Sequence, residues 1–207
     1  MNKRLVWNFE INSTLPLTLP ITSGNHHPDI HWESRFFWPE QDIIVLSGLD
    51  EHFLELSRYT IKHRSDIYYL LPNRDYNIKK RRDELVYKPL IQRSKFAFAY
   101  GKKIKLQHAA ELTTVHGEQL NTSQLIQDIH QQGNSISVNK EALIYKFQTH
   151  PSTKLELARL DINQQIYFSV NIESSEQIVV EYLAQQMIGD DEPSDYVTFL
   201  KNRIIRF

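Results

Sequence analysis

"NIKKRRDELVYKPLI", residues 77–91, carries five cations in its first twelve positions: Lys79, Lys80, Arg81, Arg82 and Lys88. The residues around them alternate as strand residues do, and successive side chains of a strand point to opposite faces. Asn77, Lys79 and Arg81 share one face, and Ile78 lies on the other with Lys80 and Arg82. After the turn, Leu85, Tyr87 and Ile91 share a face suited to packing, opposite Glu84, Val86 and Lys88. Lys79, Arg81 and Lys88 therefore converge on one side of a hairpin. An ordinary sandwich would turn that side to solvent. A closed barrel with a polar lumen would turn it inward, where charge is tolerated only if paired or solvated.

The same two-faced pattern recurs. In residues 31–38, His31, Glu33, Arg35 and Phe37 alternate with Trp32, Ser34, Phe36 and Trp38. In residues 166–173, Tyr167, Ser169, Asn171 and Glu173 alternate with Ile166, Phe168, Val170 and Ile172. One face packs and the other carries charge, which favours the barrel. Further strands are read at 4–11, 66–71, 84–93, 95–103, 135–147 and 154–162, and helices at 49–58, 121–132, 175–187 and 194–204. The fold class is α+β: an antiparallel β-barrel with flanking helices. Residues 1–30 form an N-terminal strand and arm, and residues 31–207 form the barrel domain with its C-terminal helices.

Charge is segregated. Between Arg74 and Lys105 there are eleven cations and three acids, whereas residues 173–195 hold seven acids and no Lys or Arg. The whole chain of 207 residues has a formal net charge of −1, which argues against nucleic acid or an anionic membrane as partner. It has no cysteine, so thiolate metal sites and thiol nucleophiles are excluded. No apolar run reaches the length of a membrane span and no signal-peptide core is present, so a cytoplasmic protein is expected. "NHHPDIH" (25–31) clusters three histidines, but a Pro-containing loop fixes no ligand geometry. Phosphate-loop, dinucleotide and nucleophile-elbow motifs are absent.

With these residues in view, the chain resembles the CYTH superfamily, the triphosphate tunnel metalloenzymes. That family opens its barrel with Glu-x-Glu-x-Lys, and here stands His31-x-Glu33-x-Arg35. Its Arg-x-Arg strand and following Lys correspond to Lys79-x-Arg81 and Lys88. A later basic strand corresponds to Lys140 and Lys146, and the closing Glu-x-Glu to Asn171-x-Glu173, preceded by a strand bearing Glu156 or Asp161. "SDYVTFL" (194–200) is similar to a terminal helical element. The resemblance implies phosphate roles for Arg35, Lys79, Arg81, Lys88 and Lys140. It implies a Mg²⁺ or Mn²⁺ site at Glu33, Glu156 and Glu173, and catalytic roles for Glu33, Glu173 and Arg81. The expected function is metal-dependent hydrolysis of a small triphosphate or short polyphosphate. The alternative is a noncatalytic polyanion-binding module, because His31 and Asn171 stand where the family has metal-binding acids.

Overall fold

The computed structural model describes residues 2–14, 17–20, 29–115 and 117–203. In chain order the described strands and helices are β1 (Lys3–Val6), β2 (Phe9–Asn12), β3 (His31–Pro39), β4 (Ile44–Ser47), β5 (Thr60–Leu71), β6 (Arg74–Arg81), β7 (Glu84–Lys88), β8 (Leu90–Arg93), β9 (Phe98–Tyr100), β10 (Ile104–Lys105), β11 (Leu112–Val115), β12 (Glu118–Asn121), α1 (Thr122–Gln132), β13 (Asn134–Lys146), β14 (Lys154–Ile162), β15 (Gln165–Ser174), α2 (Gln177–Ile188) and α3 (Tyr196–Arg203). This is an α+β fold around a large, curled antiparallel sheet.

The order across that sheet is β10-β7-β6-β5-β13-β14-β15-β3-β9-β8. Its two ends are joined by the chain itself. β7 continues into β8 across Pro89, and β9 continues into β10 across Gly101–Lys103. β8 pairs with β9, and β7 with β10. At the junction, Gly101 N donates to Pro89 O at 3.0 Å. The ladder thus returns on itself and encloses a tunnel, leaving few strand edges unpaired.

The apolar faces lie on the outside of this wall. Trp32, Phe36, Leu155, Leu157, Val170 and Ile172 pack against α2 and against the small sheet β1-β2-β4. Ile78, Leu85 and Tyr87 pack against Leu125 and Ile129 of α1. α3 is placed differently. Its Tyr196, Val197, Phe199 and Leu200 pack with Tyr68, Leu70, Ile136, Val138, Leu160 and Ile162, which share the inward face of their strands. The helix therefore plugs one end of the tunnel. Ser194 N donates to Arg35 O at 2.7 Å at the start of this plug. Asp195 caps it, accepting from Thr198 N at 3.0 Å and reaching Arg93 Nη2 at 3.4 Å.

Three local expectations are corrected. Residues 4–11 form a hairpin rather than one strand, because the chain turns at Trp7 with φ 47° and Asn8 donates to the carbonyls of Glu40 and Asp42. Residues 49–58 form two 3₁₀ turns, Glu51–Leu54 and Leu56–Arg58, with Glu55 extended between them. Tyr59 Oη takes the Phe53 carbonyl at 2.9 Å, the acceptor an α-helix would need for its next turn. Residues 95–103 are strand only at 98–100. β4, β11 and β12, and the first half of β5, have no counterpart in the sequence reading.

Candidate functional site: a blind cationic tunnel

Strand alternation delivers the site. On β3, Glu33 and Arg35 point inward while Trp32, Ser34 and Phe36 point outward. On β6, Lys79 and Arg81 point inward while Ile78 is buried against α1. Val86 and Lys88 of β7, Lys140 of β13, Glu156 of β14, and Asn171 and Glu173 of β15 complete the wall, and Tyr196 of α3 forms the floor. All eight residues given roles from the sequence line this one cavity. Lys80 and Arg82 lie outside it. Asp161, the alternative to Glu156, is one residue out of phase with it on β14 and falls on the outer face.

The structure adds residues to which the sequence reading gave no role. Arg64, Asp66 and Tyr68 come from β5, Lys103 comes from the β9–β10 turn, and Asn77 precedes Lys79 on β6. Lys62, Arg64, Asp66 and Tyr68 alternate along this strand, but no buried apolar face stands opposite Lys62 and Arg64 to mark the strand in the sequence. The centre of the tunnel has about 100 Å³ of solvent-accessible volume. It joins a vestibule of about 360 Å³ whose lining includes Lys62, Lys146 and Lys154. His31 lies beside the opening, next to Asp29 and Lys102. His26 and His27, the other histidines of its cluster, lie outside the described residues. From plug to mouth the inward face thus passes from apolar, through mixed charge, to lysine-rich.

Each inward carboxylate is held by cations. Asp66 accepts from Arg81 at two nitrogens, 2.6 and 2.5 Å, and from Lys79 Nζ at 2.9 Å. Glu156 accepts from Lys140 at 2.8 Å and Arg35 at 3.1 Å. Glu33 accepts from Lys88, and Glu173 accepts from Lys154 at 3.3 Å. With its amide turned so that the oxygen faces Arg35, Asn171 serves that residue as well, the oxygen accepting from Nη2 at 3.0 Å and the nitrogen donating to Ser34 O at 3.3 Å. The Arg35 guanidinium also lies 4.8 Å over the Tyr196 ring.

These contacts set the protonation states. Burial opposes charge on Asp66, but the hydrogen bonds from Arg81 and the charge of Lys79 outweigh it, and its pKa falls to about 2. Glu156 and Glu33 are likewise held below the ordinary carboxylate range despite burial, Glu156 by Lys140 and Arg35, and Glu33 by Lys88 and Arg35. Lys79 moves the other way. Burial, reinforced by Arg81, lowers it to about 7 against the pull of Asp66. Among the described residues the tunnel counts seven Lys and Arg side chains against four carboxylates, Asp66 included, a formal surplus of three with Lys79 protonated. Arg64 and Lys103 form no ion pair with a described residue.

No protein-family model matches the chain, and no curated protein does. Among solved structures, a protein from Bacillus halodurans described as a "putative adenylate cyclase" superposes with a TM-score of 0.44 and 7% identity, over 86% of this chain and 100% of that one.

Proposed function

We propose that the barrel is a degenerate CYTH-type tunnel that binds a linear polyphosphate group, as the triphosphate of a small molecule or as a short polyphosphate chain, entering end-on from the lysine-rich mouth. The observation that carries this reading is the uncompensated inward charge. Seven cations face four carboxylates, and Arg64 and Lys103 have no carboxylate of their own. Partly desolvated cations in surplus are costly unless an anion joins them. Guanidinium forks and ammonium groups match phosphate oxygens in geometry and charge. The α3 plug makes the tunnel blind, so it suits the end of a chain rather than its middle. Calorimetric titration with orthophosphate, pyrophosphate and tripolyphosphate tests the reading. Affinity should rise with chain length and fall with added salt. No binding of tripolyphosphate under any condition would refute it.

Metal-dependent hydrolysis of the bound chain is the second reading. It is favoured by one observation: Glu33 and Glu173 are direct cross-strand partners at the inner mouth. A hard divalent cation needs oxygen donors, with one or two carboxylates at the least. Here the donors do not fit well. Glu33 is bound to Lys88, Glu173 to Lys154, and Glu156 lies between Arg35 and Lys140. The Asn171 oxygen is taken by Arg35. Among the described residues no group of three His, Asp or Glu side chains converges as a metal site would require. We therefore derive no catalytic step through a metal. Phosphate release from tripolyphosphate with Mg²⁺ or Mn²⁺ is the direct assay of this second reading.

A further inference from the structure

We infer that the tunnel binds its polyanion without a divalent metal ion, the side-chain cations supplying all of the charge neutralisation. The inference rests on the polyphosphate-binding reading above and specifies how that site works. Two rows of residues across the inner face carry it. Nearer the mouth, adjacent strands present Lys154, Glu173 and Glu33 side by side, and Lys88 bonds to Glu33. This row is balanced, each acid having one lysine. One step deeper, Glu156, Asn171 and Arg35 stand side by side, with Lys140 on Glu156. This row has two cations on one acid, and its middle position is a neutral amide already accepting from Arg35. Each acid of the two rows already accepts from a cation through one carboxylate oxygen.

A divalent cation entering here would meet only carboxylates that each already accept from a cation through Oε1, in a cavity whose formal positive charge exceeds its negative charge. A phosphate chain meets the opposite situation. Arg64 and Lys103 are available at once, and Lys79, Arg81 and Lys140 can each share their protons between a carboxylate and a phosphate oxygen. In free solution the same chain binds magnesium. A metal-free site must therefore compete with magnesium for its ligand instead of gaining from it.

Titration calorimetry of the wild-type protein with tripolyphosphate, after chelation of divalent ions and again in millimolar magnesium, separates the possibilities. The expected result is binding in the chelated sample, with apparent affinity unchanged or weakened by magnesium. Tightening by magnesium of about tenfold or more, or binding only when magnesium is present, would overturn the inference while leaving polyphosphate binding intact. Absence of binding in both samples would defeat the binding reading and the inference with it. Glu173→Gln supplies a second measurement. If Glu173 is only the partner of Lys154, the variant should bind tripolyphosphate more tightly than wild type in the chelated sample. Weaker binding there would also count against the inference.

Discussion

Lys80 and Arg81 are neighbours in sequence, and the tunnel separates them. Arg81 faces the lumen with its guanidinium on Asp66, whereas Lys80 lies on the outer face with Ile78. A lost charge-assisted phosphate contact costs about 1.5–3 kcal/mol, or roughly ten- to a hundredfold in affinity. Arg81→Ala should therefore weaken tripolyphosphate binding by that factor and Lys80→Ala should not, as read by calorimetry on the two folded variants. Equal losses would indicate a diffuse basic surface. Lys79 offers a second check. Its pKa of about 7 in the free protein leaves it mostly neutral at pH 8. A phosphate beside it favours the charged form, so binding at pH 8 should take up a proton. The measured enthalpy should then vary with buffer ionisation enthalpy, and Lys79→Arg should abolish the variation. For Asp66 the sign is that of a depressed carboxylate. With a folded pKa of about 2 against an ordinary 3.8, its stabilising contribution is complete above about pH 4 and is lost as pH falls toward 2. The gap in urea midpoint between wild type and Asp66→Asn should close across that window, and a constant gap would contradict the pairing.

At the scale of elements, α3 decides that the tunnel is blind. Phe199 stacks on Phe37 with ring centroids 3.9 Å apart and meets Tyr167 edge-on at 5.2 Å. Phe199→Ala should destabilise the protein by about 3–5 kcal/mol, measured by urea denaturation. A loss under about 1 kcal/mol would mean the plug is not packed as described. The strands that sequence reading found, and those it missed, differ in a physical way. "NIKKRRDELVYKPL" was legible because one face is apolar: Ile78, Leu85 and Tyr87 pack under α1, so the alternation fixed which charges face inward. The first half of β5 was not legible. Lys62, Arg64 and Asp66 face the lumen and mouth, while Ile61 and His63 on the other face remain exposed. Neither face is buried and apolar there, so periodicity had nothing to detect and Arg64 went unnamed; Asp66 begins the strand read at 66–71 but was given no role. The hairpin at Trp7 and the 3₁₀ turns around Glu55 were hidden for another reason. Both are set by partners distant in sequence or by a side chain taking a helical carbonyl.

For the whole molecule, the fold inverts the usual arrangement of an antiparallel sheet. Its apolar faces look outward and are covered by α1, α2 and the β1-β2-β4 sheet, and its charged faces look inward. A chain of nearly neutral net charge can thereby keep a local surplus of three cations in one cavity. No described helix is long and apolar enough to cross a membrane. That inversion is the central claim, and it gives the polyphosphate a definite location. A crystal structure of the protein with tripolyphosphate tests it most directly. The account predicts phosphates inside the barrel, within hydrogen-bonding distance of Arg64 and Arg81 and above the Tyr196 floor. Phosphates found instead on the outer face, beside Lys80 and Arg82 with the tunnel vacant, would contradict it.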